Sequence, residues 1–219
     1  MIDLYVLDTT DERVVASLKW GLDVLCLSDP HNVLKMTQFI FNTYNKVYRR
    51  KYGDDAVMGF DELLEMGFED GDFHGQKACR RYGLCWGKAL VGSLRICDYD
   101  PDVIYPMEEV YGIKLKDVFA EHGLDDRYFY FHYGRYAIDA DALALAGISR
   151  LALARVYKGF TEVSFLDNCS NSSVVVSEID VEMMGYLRLM GYNCISIGEP
   201  KHYRGSMKTP MLMIYDAKP

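Results

Sequence analysis

The run Tyr128-Phe-Tyr-Phe-His-Tyr-Gly-Arg-Tyr-Ala-Ile-Asp139 constrains the fold of this chain more than any other stretch. Its aromatic and β-branched residues read as a buried strand, yet His132, Gly134 and Arg135 interrupt it. Glycine weakens a strand interior and marks a bulge or a close approach of a ligand to the backbone. A buried arginine is costly unless it is paired or lines a wet cleft. The strand therefore reads either as the wall of a site or as core, with Arg135 an ion-pair anchor and Gly134 a packing kink.

The segment after it decides the topology. Ala140 to about Leu166 reads as one long helix, with Ile148, Ala152, Val156, Phe160 and Val163 at helical spacing, and Ser173–Ile179 as a strand. A strand–helix–strand crossover of that length makes the two strands parallel. Other strands come from hairpins, above all Cys79–Trp86 with Lys88–Cys97 turning at Gly87-Lys88. The expected fold is α/β (α+β): a mostly antiparallel sheet with a central parallel pair and helices on both faces, in one domain spanning 1–219. Ligands collect where such a pair splays, and Arg135, Ser177 and Glu178 are carried there.

Elsewhere, Ile2–Leu7 reads as a first strand. Thr9 or Thr10 then caps a helix carrying Val14, Val15, Leu18, Leu22 and Leu25. Ser28-Asp29-Pro30 opens a second helix that ends near Lys51 in Lys46, Arg49, Arg50 and Lys51, stopped by Gly53. Those cations either complement the helix dipole or form a patch for an acidic partner. Asp61–Gly75 reads as a short helix and an acidic loop without calcium-loop spacing, so no metal is expected. A helix over Leu115–His122, one capped by Asp180 and running to Met190, and strands Cys194–Ile197 and Pro210–Asp216 complete the chain.

Half of the 219 residues are apolar, enough for a sizeable core. A net charge of -8 argues against a generic nucleic-acid binder. No stretch is long and apolar enough to span a bilayer, and the N-terminus lacks the basic region of a secretion signal, so a cytoplasmic protein is expected. The six cysteines form no C-x-x-C pair and read as reduced thiols.

Several segments together resemble a family. They are Val91-Gly-Ser-Leu-Arg95, Gly134-Arg-Tyr-Ala-Ile-Asp139 and Leu189-Met-Gly-Tyr192, with weaker matches at Tyr44-Asn-Lys-Val-Tyr48 and Glu69-Asp-Gly-Asp-Phe-His74. Their order is similar to that of the acyl-homoserine-lactone (autoinducer) synthases and the N-acyl amino acid synthases, acyltransferases of the Gcn5-related N-acetyltransferase (GNAT) fold. Tyr44 stands where those synthases usually carry Arg, and His132 where they carry Glu. The resemblance implies transfer of a fatty acyl group to the amine of a small amino-acid-like acceptor, with Tyr44, Tyr48, Asp70 and Asp72 among the substrate-binding residues. It implies no bound cofactor. The cosubstrate is acyl carrier protein or acyl-CoA, and the carrier protein is favoured because Asp139–Ile148 lacks the glycine-rich pyrophosphate loop and carries two Asp residues.

Acyl transfer from a thioester to an amine needs a base, and His132 and Glu178 are the candidates. A bulge at Tyr133-Gly134 would aim a backbone N–H at the thioester oxygen. Arg95 and Arg135 would bind the acceptor's carboxylate or the acidic loop. Met183, Met184, Leu187 and Met190, with Leu151 and Phe160, either line an acyl slot or are plain core. Two other readings stay open: a CoA-dependent N-acetyltransferase of the same fold, and a non-catalytic binding module that kept the scaffold.

Overall fold

The computed structural model describes residues 5–54, 57–68, 79–168, 172–203 and 205–215. In chain order the first elements are β1 (Tyr5–Val6), β2 (Arg13–Leu18), β3 (Leu22–Leu27), α1 (Pro30–Tyr52), α2 (Phe60–Phe68), β4 (Cys79–Trp86) and β5 (Ala89–Asp98). There follow α3 (Pro106–Tyr111), α4 (Leu115–Glu121), β6 (Phe129–Ile138), α5 (Ala140–Leu145) and α6 (Arg150–Leu166). The last are β7 (Ser173–Asp180), α7 (Val181–Leu189), β8 (Asn193–Ser196), β9 (Lys201–Tyr203) and β10 (Ser206–Tyr215). They form two compact units, Met1–Ile96 with Arg135–Asn168 and Cys97–Gly134 with Cys169–Pro219, and the chain of β5 and β6 runs through both.

In the first unit the strands lie in the order β2, β3, β4, β5 and the end of β6, with β1 on β5. Helix α1 starts where its side chains dictate. The Asp29 carboxylate accepts from the N–H groups of His31 and Asn32, Pro30 occupies a position that needs no donor, and the Gly53 N–H closes the last turn on the Arg49 carbonyl. Its inner face buries Met36, Phe39, Ile40 and Tyr48 with Leu25, Leu27, Leu90 and Ala137. Each such side chain contributes about 1.5–3 kcal/mol. Gly92 is needed in β5 because a Cβ there would lie 3.0 Å from the Leu84 Cβ and 3.3 Å from Ile138.

Three expectations for this unit fail. Residues 14–25 are not a helix but the antiparallel hairpin β2–β3. Trp20 (φ 66) and Gly21 (φ 68) both adopt the left-handed backbone that reverses a hairpin, and a Trp-Gly pair is not a turn signal that spacing rules recognise. The single helix over 140–166 is two, α5 and α6, separated at Gly147 (φ +77), with the Ser149 hydroxyl accepting from the Ala152 N–H to start the second. Helical spacing continues through the break, which is why periodicity hides it. Lastly, Cys79 is disulfide-bonded, as is Cys97 of the second unit, whereas Cys26, Cys85 and Cys194 are free. A rule built on C-x-x-C spacing does not detect disulfides of other spacings.

In the second unit the start of β6 pairs with β7, β7 with β10 and β10 with β8, while β9 forms a short hairpin with β10. The β6–β7 pair is parallel, as the crossover rule required, and β10 is antiparallel to both β7 and β8. The parallel ladder runs from Phe129↔Ser173 only to His132↔Val176, although both strands continue. Asp180 does not cap α7 as expected, because its carboxylate accepts from the Ser206 hydroxyl instead. Helix α3 had no counterpart in the sequence reading. It is pinned by Glu108, whose carboxylate accepts from the N–H groups of Tyr105 and Leu115.

Candidate active site

Where the β6–β7 ladder stops, two of the expected site residues meet. His132 faces Val176 across the parallel pair, and Glu178, two residues further on, projects from the same side of β7. The His132 Nε2 and Glu178 Oε2 atoms are 3.6 Å apart, and both side chains are largely buried. Burial pushes the Glu178 carboxyl up, but His132 beside it holds the group down to about 2, against an ordinary value of 4.5. The pair is therefore an imidazole backed by a carboxylate that stays ionised although it is buried. Sequence reading offered these two residues as rival bases; their pairing follows from a register that only the folded sheet defines.

An aromatic wall flanks the dyad. The Tyr105 ring lies 5.1 Å from that of His132, and Tyr99 stacks on Tyr105 at 5.3 Å. Tyr99 in turn packs edge-on to Phe119, which lies 4.6 Å from Tyr130. The wall leaves the His132 side chain only 5% exposed.

The expected bulge is displaced by one residue. Gly134 does not take up left-handed backbone; Arg135 does, at φ 59, a conformation that is unusual for a non-glycine residue. The Ser93 hydroxyl donates to the Arg135 carbonyl at 2.8 Å and holds the turn. Arg135 and Arg95 are both buried, at 8% and 3% exposure, and both belong to the first unit.

Tyr44 and Tyr48, on α1, pack together with ring centroids 5.9 Å apart. The Tyr44 hydroxyl donates to the Tyr136 carbonyl, and Tyr48 is a core residue at 2% exposure. Asp70 and Asp72 lie outside the described residues. Of the supposed acyl slot, Phe160, Met184 and Leu187 are buried, but Leu151 is 91% exposed and lines nothing.

The basic end of α1 is largely matched within the first unit. Lys46 bridges Asp139 (2.9 Å) and Asp141 (2.6 Å), Arg50 pairs with Asp141 (2.7 Å), and Arg49 pairs with Asp54 (2.8 Å). Asp141 is held at about 2 by Arg50 and Lys46. Both aspartates are thus matched by cations from α1. Beside them a cleft of about 510 Å³ opens between Arg50, Asp141, Gly147, Ser149 and Arg150, at the N-terminus of α6. Among the described residues no His, Cys, Asp and Glu side chains cluster as a metal site, and no helix is long and apolar enough to cross a membrane.

The sequence matches no protein-family model and no curated protein. Solved structures do match. FeeM, an N-acyl amino acid synthase from uncultured soil microbes, is 16% identical over 90% of this chain and 92% of its own, with a TM-score of 0.57. An acetyltransferase from Salmonella typhimurium that modifies the N-terminal serine of ribosomal protein L7/L12 matches at 8% identity and a TM-score of 0.48, covering 94% of this chain and all of its own. A spermidine N-acetyltransferase from Vibrio cholerae matches at 14% identity and 0.45, covering 90% and 96%. The conclusion rests on the first: this chain has the fold of the N-acyl amino acid synthase FeeM, the GNAT fold that the resemblance of its segments had implied.

Proposed function

We propose that the protein is an N-acyltransferase that moves a fatty acyl group from a thioester to the amine of a small amino-acid-like acceptor. The observation that carries this reading is the buried His132–Glu178 dyad at the point where the parallel ladder ends. The amine nitrogen attacks the thioester carbonyl and gives its proton to His132. A C–N bond forms, the C–S bond breaks, and the proton on His132 passes to the departing thiolate. Glu178 stabilises the imidazolium that exists between those two events, and such a base contributes about 10²–10⁴-fold in rate. The Gly134 N–H, beyond the last pair of the β6–β7 ladder, is the proposed donor to the oxyanion of the tetrahedral intermediate.

The donor has support of its own. Acyl-CoA and acyl carrier protein both present the thioester on a phosphopantetheine arm, and the cleft at the N-terminus of α6, lined by Arg150, is where a phosphate of that arm would sit. FeeM, whose fold this chain shares, is an N-acyl amino acid synthase, which supports an amino-acid acceptor.

The test is mass spectrometry of products from the purified protein given palmitoyl-CoA, palmitoyl carrier protein or acetyl-CoA, each with a panel of amino acids and amines. A long-chain N-acyl product that falls at least ~10²-fold in His132→Ala is expected. No product from any donor would overturn the reading, and acetyl transfer alone would replace it with the acetyltransferase one.

A further inference from the structure

Strand β6 carries one residue more than β5, the strand beside it. Just past the end of β5 the Tyr99 N–H donates to the Tyr130 carbonyl (2.9 Å), and near its start the Val91 carbonyl accepts from the Asp139 N–H (2.9 Å). Counting from 99 back to 91 gives eight steps, whereas counting from 130 on to 139 gives nine. Such a surplus is a β-bulge, and Arg135, left-handed at φ 59, is where the chain takes it up. A residue with a Cβ resists that conformation, so its neighbours must impose it.

Two hydroxyls from different elements do so. Ser93, on β5 and 0% exposed, donates to the Arg135 carbonyl at 2.8 Å, and Tyr44, on α1, donates to the Tyr136 carbonyl at 3.0 Å. All four residues belong to the first unit. A buried serine in the apolar run of β5 has to find its hydrogen bond inside the protein, and it finds it at the bulge. With two consecutive carbonyls held by side chains, β6 cannot pass its surplus residue along.

What this fixes is the phase of β6. Side chains alternate along a strand, so a surplus residue moved to the other side of His132 would turn the imidazole to the opposite face. The dyad needs that imidazole on the face of Glu178, where the two side chains lie 3.6 Å apart. We propose that Ser93 and Tyr44 are positioning residues: by holding the Arg135 and Tyr136 carbonyls they keep the bulge beyond His132 and the imidazole in phase with Glu178. Tyr44 thus acts on the backbone of β6 and not on the substrate. The catalytic consequence rests on the acyltransferase reading, whereas the lock on β6 is tested without it.

Hydrogen exchange read by mass spectrometry is that test. Ser93→Ala should speed exchange of the Gly134–Tyr136 amides about tenfold and leave those of β3 unchanged; unaltered exchange in β6 overturns the proposal. A urea-unfolding cycle with Arg135→Gly gives a second reading, because glycine takes up left-handed backbone unaided. Ser93→Ala should lower the folding constant about tenfold in the wild-type chain and no more than about threefold in Arg135→Gly. Equal losses in the two backgrounds would leave Ser93 with packing alone. In the acyl-transfer assay Ser93→Ala and Tyr44→Phe should each lower kcat about tenfold, with KM for donor and acceptor within about twofold of wild type. A raised KM at unchanged kcat in Tyr44→Phe would make Tyr44 a substrate contact and overturn its part. If Ser93→Ala does not fold, Tyr44→Phe, which keeps the ring, carries the exchange and kinetic measurements. Faster exchange and coupled losses, with no transfer from any donor, would keep the lock and remove the acyltransferase.

Discussion

Two carboxylates, one in each unit, are held down to about 2 by opposite means. Asp141 is partly exposed and is lowered by direct hydrogen bonds from Arg50 and Lys46. Glu178 is buried, a circumstance that on its own would raise it, and is lowered by His132. Arg50 and Lys46 keep their charge throughout the range in which proteins fold, so the Asp141 cluster is a clamp. Glu178 is tied instead to a buried imidazole, so the second pair belongs to the interior and not to the surface. Two equal shifts thus mark different jobs, and the identity and burial of the partner tell them apart.

The comparison can be broken most forcefully at His132. Replacement by alanine leaves a buried carboxylate unmatched and should cost about 3–5 kcal/mol by urea unfolding, whereas Asp141→Asn should cost no more than about 1 kcal/mol. Equal losses would mean that the dyad is as solvated as the clamp.

The acid limb of stability comes next. Because Glu178 ionises at a lower pH in the folded protein than in the unfolded chain, the unfolded state binds more protons between these values. Its contribution is fully present above about pH 4.5 and is lost as the pH falls toward about 2. It amounts to at most roughly 3 kcal/mol. Glu178→Gln should flatten that limb in a pH series of unfolding curves, and an unchanged slope would assign it to other groups.

Gly147→Ala sharpens the clamp side. Nothing lies within 4 Å of the added Cβ, so only the left-handed backbone resists it, at about 1–2 kcal/mol. Smallest of all, 1 M salt should erase the difference between wild type and Asp141→Asn while leaving that between wild type and His132→Ala in place, since exposed pairs are screened and buried ones are not.

The strands and helices that local chemistry commands were legible in the sequence. The Gly87 turn between β4 and β5, the Asp29-Pro30 start and Gly53 stop of α1, and the Gly123 that follows α4 all lie where side-chain rules put them. What escaped notice depended on backbone states that several residues can adopt. The Trp20-Gly21 reversal, the Gly147 break and the left-handed Arg135 each override a hydrophobic pattern that reads straight through them.

The sequence by itself determined that one strand–helix–strand crossover would lay β6 and β7 parallel, because a chain of that length between two strands of one sheet has no other economical route. It also supplied His132 and Glu178 as separate candidates. Only the tertiary structure decided that they form one device and that Asp139 and Asp141 are matched by cations from α1. Those facts depend on which residues face one another across strands and on what burial does to their charges, and neither is a property of any short stretch of chain.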